Sequence, residues 1–170
     1  MIYHGPTSIF TTELAEPPGT LGSTTAPMVT AEDTSSLYNP TICLSIAFFF
    51  LWQYPQFMFI DCEAFIREFD TNPIDGEFCS LPLIYIVAAI GALMSQDPEI
   101  RAISASFAES AESILTSRCL GTPRIASVQA LLACAYYEVG RGNLSKGWLY
   151  SGNSRNSLPQ PSEWKSHRIL

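Results

Sequence analysis

Three dipeptides, Asn39-Pro40, Asp97-Pro98 and Thr122-Pro123, constrain the fold of this chain more than any other feature. Each places a side-chain acceptor at a helix N-cap and a proline at the first helical position, where the missing N–H has no intrahelical partner to lose. Several short helices follow. The first is predicted from about Pro40 to Trp52, where Tyr54-Pro55 interrupts it. A shorter one begins at Asp61 and carries Phe65, Ile66 and Phe69 on one side. Leu83 to Met94 is apolar nearly all round, the texture of a central helix enclosed by others. Between Glu99 and Arg118, the residues Ile100, Ile103, Phe107, Ala111 and Ile114 recur at three- and four-residue steps and mark a core face, with Arg101, Glu109 and Glu112 on other faces. Gly121 suits the end of that helix. The next helix carries Ile125, Val128, Leu132, Ala135 and Val139 as one stripe. Gly140-Arg141-Gly142 then turns the chain into a helix bearing Trp148 and Leu149, the pattern of an αα-hairpin. No alternating run bounded by turns reads as a strand, so the expected class is all-α, an irregular multi-helix bundle of αα-hairpins.

A chain of 170 residues is long enough for one domain with a real core. Its formal charge of −7 makes the field of the whole chain repel duplex nucleic acid, so no direct nucleic-acid binding is expected. Cys43, Cys62, Cys79, Cys119 and Cys134 are scattered, most of them in or beside apolar runs, and no signal-peptide pattern precedes them. They read as buried reduced thiols. His4 and His167 stand at the two ends, and neither a CxxC nor an HExxH spacing occurs, so no local motif assembles a metal site or a histidine-based catalytic centre. Neither GxSxG nor a glycine-rich phosphate loop is present. The pairs Asp61 with Glu63 and Glu109 with Glu112 are conceivable acid and base partners, but Glu109 and Glu112 fall on the polar side of their helix, as a solvated face would. An enzyme is not expected.

Residues 34–60 and 78–96 are uncharged runs that hydropathy alone would nominate as two membrane spans. Only Ile42 to Trp52 of the first and about 12 residues from Leu83 of the second are densely apolar, short of the ~20 that cross a bilayer. Buried helices account for both runs better than spans do. Residues 1–38 lack lysine and arginine and are rich in Thr, Ser, Pro and Gly, a composition that leaves them mostly disordered. Tyr3-His4-Gly5-Pro6-Thr7-Ser8-Ile9-Phe10 differs in texture; it reads as a flexible end with incidental aromatics or, through a family resemblance carried also by two later blocks, as a segment docked on the helical body.

Candidate contact residues cluster in the predicted hairpin. Arg141 lies between two glycines at the turn, where it is a ligand or partner contact, a solvated loop arginine, or one bonding the carbonyls at a helix end. Trp148 and Tyr150 either line a small-molecule cavity or pack as a core anchor and a half-buried ring with a wet hydroxyl. The aromatics of Trp52-Gln53-Tyr54-Pro55 are expected to pack on the bundle, and Gln129 to bond across helices.

Two blocks carry a family resemblance. Ser127-Val128-Gln129-Ala130-Leu131-Leu132-Ala133-Cys134-Ala135-Tyr136-Tyr137-Glu138-Val139-Gly140-Arg141-Gly142, with Lys146-Gly147-Trp148-Leu149-Tyr150-Ser151-Gly152, resembles the most recognisable segment of the middle homology region of fungal zinc-cluster transcription factors. Phe49-Phe50-Leu51-Trp52-Gln53-Tyr54-Pro55-Gln56-Phe57-Met58-Phe59-Ile60, with Glu63, Ala64 and Phe65, resembles the start of that region. The resemblance implies a partial middle region over 39–152, the N-terminal half of a larger helical domain, and a polar tail over 153–170 that departs from the family and is expected to be disordered. It implies transcription regulation by RNA polymerase II in the nucleus, through co-regulators, family members or self-association, with a small-molecule effector as a further option. The family's six-cysteine DNA-binding module, and the zinc it holds, have no counterpart in this sequence. Two other functions stay open on the residues alone, a small two-span membrane protein and a helical metabolite-sensing module.

Overall fold

Asn39 starts the first helix as its spacing predicts: its Oδ1 accepts the Thr41 N–H at 2.9 Å and Pro40 takes the first helical position. In the computed structural model, which describes residues 37–56, 58–118 and 124–156, α1 spans Pro40–Phe48 and widens into a π-helical stretch over Phe49–Gln53. The expected α-helix to Trp52 is thus two geometries. The wider turn, closed by the Tyr54 N–H on the Phe49 carbonyl at 2.9 Å, puts Phe49 and Gln53 on the same buried side. Trp52, expected to pack on the bundle, is exposed instead.

Asp61 caps α2, Cys62–Thr71, accepting from the Ala64 N–H at 2.9 Å. Phe65 and Phe69 stack within this helix at 6.2 Å, and Phe50 lies 5.4 Å from Phe65. Ile66 does not join them and is 42% exposed, because the buried arc is narrow and the ring pair fills it. Glu68 then organises the next loop: its Oε2 accepts the N–H groups of Phe78 at 2.7 Å and Cys79 at 2.9 Å.

The central element is α3, Leu81–Ala92, buried at almost every position as its uniform apolarity predicts. Gly91 allows α1 to cross it closely; a Cβ there would stand 1.8 Å from the Ser45 carbonyl oxygen. Against α3 lies α4, Pro98–Arg118, opened by the Asp97 side chain accepting from the Glu99 N–H at 2.8 Å. Its innermost residues are Ser104, Ala111 and Leu115, while Ile103 faces water. Ser104 anchors the crossing by donating to the Ala89 carbonyl at 2.7 Å. α5 covers Ile125–Gly140 and α6 covers Leu144–Asn156. Thr122 and Gly121, expected to punctuate this junction, lie outside the described residues, as do residues 1–36, 119–123 and 157–170. Among the described residues the fold is all-α, with only an isolated Asp75 to Ser80 bridge. None of these helices is long and apolar enough to cross a membrane. α6 runs to Asn156, four residues past Gly152, where the polar tail was expected to begin.

Candidate functional site

The α5–α6 hairpin holds all three candidate contact residues, and its turn is set by backbone chemistry. Arg141 is the C-cap of α5, Gly142 adopts φ +86°, and the Asn143 N–H returns to the Glu138 carbonyl at 2.9 Å. Only glycine takes that φ without strain. The two helices then approach at Gly147, where a Cβ would meet Val139 Cγ2 at 2.5 Å.

Beneath the turn lies a polar joint with α4. Lys146 Nζ donates to Glu112 Oε2 at 2.7 Å and pairs with Glu138 Oε1 at 3.0 Å. Asn143 Nδ2 donates to the other Glu138 oxygen at 2.7 Å. Tyr150 completes the group by donating its hydroxyl to Glu112. Burial opposes ionisation of Glu112, but the hydrogen bonds from Lys146 and Tyr150 more than offset it and hold the carboxyl below its usual value. The bond to Glu112 raises the Lys146 ammonium, and burial followed by the Glu112 contact raises the Tyr150 hydroxyl. Glu138 is only 8% exposed, so the cation and the amide are what make its charge tolerable there.

Each predicted residue has a different position. Trp148 is 77% exposed, so it is not a core anchor. Tyr150 is 6% exposed and its hydroxyl is bonded to protein, so it is neither half-buried nor wet. Arg141 is exposed, as a solvated loop arginine is; among the described residues its side chain bonds no helix-end carbonyl but donates to the Tyr137 hydroxyl at 2.9 Å, with its guanidinium 5.5 Å from that ring's centroid. Glu112 is partly buried and bonded within the joint rather than free on a solvated face, whereas Glu109 is exposed. Gln129 does bond across the bundle, its Nε2 donating to the Phe59 carbonyl at 2.9 Å, and Gln53 donates to the Tyr136 hydroxyl. The joint residues Glu138, Asn143 and Lys146 escaped the sequence-based assignment. The signal for them was Glu138 itself, the one charge in the apolar run 125–140.

A second departure concerns the apolar stripe of α5. Ile125, Leu132 and Val139 point outward, and the buried side is built of Ala126, Ala130, Ala133, Cys134 and Tyr137. Leu144, Trp148 and Arg155 share one face of α6 by their spacing, and Leu144 and Leu149 are exposed with Trp148. The hairpin therefore shows water an apolar surface that has no mate among the described residues.

Among the described residues no three His, Cys, Asp or Glu side chains gather into a metal-holding group. Burial, with Glu68 beside one and Glu112 and Glu138 near the other, pushes the Cys79 and Cys134 thiols up to about 12, so both stay protonated at neutral pH.

The described residues thus form an all-α body with a partly buried polar joint and an apolar outer hairpin. Comparison with known proteins gives the class a family. Residues 46–158 match the fungal specific transcription factor domain, and the chain belongs to that family. The match starts a few residues later and ends a few later than the expected 39–152. The chain is similar to an uncharacterized transcriptional regulatory protein of Schizosaccharomyces pombe, 37% identical over 150 residues, which cover 88% of this chain and 40% of the relative. It is also similar to the TY1 enhancer activator of Saccharomyces cerevisiae, 33% identical over 71% of this chain and 17% of that protein. The nitrogen assimilation transcription factor nirA of Emericella nidulans is 31% identical over 64% of this chain and 13% of its own length. The chain thus spans well under half the length of these relatives. No solved structure matches it.

Proposed function

We propose that this chain is a regulatory, protein-contacting part of a fungal transcription regulator, acting in the nucleus on transcription by RNA polymerase II and holding neither a catalytic centre nor a cofactor. Zinc belongs in this proposal to a DNA-binding module elsewhere in such a regulator. The observation that carries it is the family match over the helical body, which includes the whole α5–α6 hairpin. The acidic balance of the chain supports contact with proteins rather than with DNA. The apolar hairpin surface supplies the kind of face that a protein partner covers.

Two arms test this together. The chain fused to a heterologous DNA-binding module is expected to change output from a reporter bearing that module's sites in a fungal host. The chain alone is expected to leave the fluorescence anisotropy of a labelled DNA duplex unchanged at low salt. Unaltered reporter output, or saturable binding to the duplex, would contradict the proposal.

A further inference from the structure

The hairpin is unlike the rest of the chain in charge as well as in exposure. Residues 124–156 carry Arg124, Arg141, Lys146 and Arg155 against Glu138 alone, a net +3 within a chain of net −7. Arg124 pairs with Asp75 and Lys146 with the joint carboxylates, while no ion pair among the described residues engages Arg141 or Arg155. Arg155 shares its helix face with Leu144 and Trp148, and Arg141 directly follows the end of the stripe formed by Ile125, Leu132 and Val139. Such a surface fits an acidic segment that brings its own apolar side chains.

The sequence contains one. Residues 1–36 hold Glu13, Glu16, Glu32 and Asp33, no lysine or arginine, and apolar residues beside the acids: Ile9, Phe10 and Leu14 near the first pair, Met28 and Val29 near the second. We infer that this N-terminal acidic segment docks in cis on the outer face of the α5–α6 hairpin, its apolar residues against Leu132, Val139 and Trp148 and its carboxylates toward Arg141 and Arg155. Reach is no obstacle for the first acidic pair, since the 24 residues from Glu13 to Leu37 can extend over roughly 80 Å, and covalent linkage raises the effective concentration of the segment at the face. Charge disfavours the two other occupants. A second copy would set Arg141 and Arg155 of one hairpin against those of another, and residues 157–170, with Lys165 and Arg168 against Glu163, carry the same sign as the face. The inference does not depend on the transcriptional role.

The test uses the full chain with a photo-crosslinking residue, Trp148→p-benzoylphenylalanine, and repeats it with the probe at Leu144; both positions are exposed, and helicity by circular dichroism verifies the fold. Irradiated monomer is expected to give cross-links within one chain to peptides from residues 1–36. Neutralising the segment (Glu13→Gln, Glu16→Gln, Glu32→Gln, Asp33→Asn) should lower their yield about threefold, as loss of several weak exposed charge contacts predicts. Cross-links that join two chains, that fall only in residues 157–170, or that are absent from both probe positions would overturn the inference.

Discussion

At the scale of single residues, exposure separates the side chains that hold the hairpin together from those that it presents. Lys146→Met removes the cation from a Glu138 that is 8% exposed, leaving a buried carboxylate with the Asn143 amide alone, and is expected to cost about 2 kcal/mol in urea unfolding. Trp148→Ala, at the largest exposed side chain, is expected to stay within about 0.5 kcal/mol of the parent. Equal losses from the two would show that the joint has been misassigned. Proton linkage gives a second check on the same group. Because the Glu112 pKa is lowered, its stabilisation is complete above the ordinary value of 4.5 and fades as pH falls through the lower folded value. Because those of Lys146 and Tyr150 are raised, theirs is complete below their ordinary values of 10.5 and 10.0 and fades as pH rises further. Stability should therefore hold level between these limits, and Glu112→Gln should flatten the acid limb specifically; an unaltered acid limb would remove Glu112 from the account.

Between elements, close approach matters more than apolar volume. Gly91→Ala would drive a Cβ to 1.8 Å from a backbone carbonyl of α1, which cannot yield as a side chain end can. Separation of α1 from α3 is expected, with a loss of about 3 kcal/mol or more by thermal or urea unfolding. Gly147→Ala meets Val139 Cγ2, a side-chain atom that can rotate, and is expected to cost less, about 1 to 2 kcal/mol; the reverse order would contradict the crossing geometry. The same fact explains what the sequence did and did not disclose. Helix starts at Asn39-Pro40 and Asp97-Pro98 were legible because capping is local chemistry, as was the central α3, whose faces are all apolar. The orientation of α5 was not. Ile125, Leu132 and Val139 form a regular stripe, yet apart from Leu131, Gln129 and Glu138 the inner side of the helix is alanine, serine, cysteine and tyrosine, and small residues are what let α3 and α6 approach closely. The π-helical stretch was equally hidden, and with it the bond from Gln53 to the Tyr136 hydroxyl, a partner that only the fold brings near.

For the whole molecule, the described residues form an all-α body, and the family match over residues 46–158 takes in the hairpin. Of the candidate site, the hairpin and its turn were readable from Gly140-Arg141-Gly142, whereas the division into a buried polar joint and an exposed apolar face needed tertiary contacts between α4, α5 and α6. That division makes the central claim testable without disturbing the core. The most direct measurement is reporter output from the chain tethered to DNA, compared with a Leu144→Asp, Trp148→Asp variant of the same fusion. Both substituted residues face water, so equal helicity and urea midpoints are expected for the two proteins. If the hairpin face is the working surface, the variant loses most of the effect that the parent fusion has on the reporter. If the folded variant regulates the reporter as the parent does, the claim that this face carries the function is wrong.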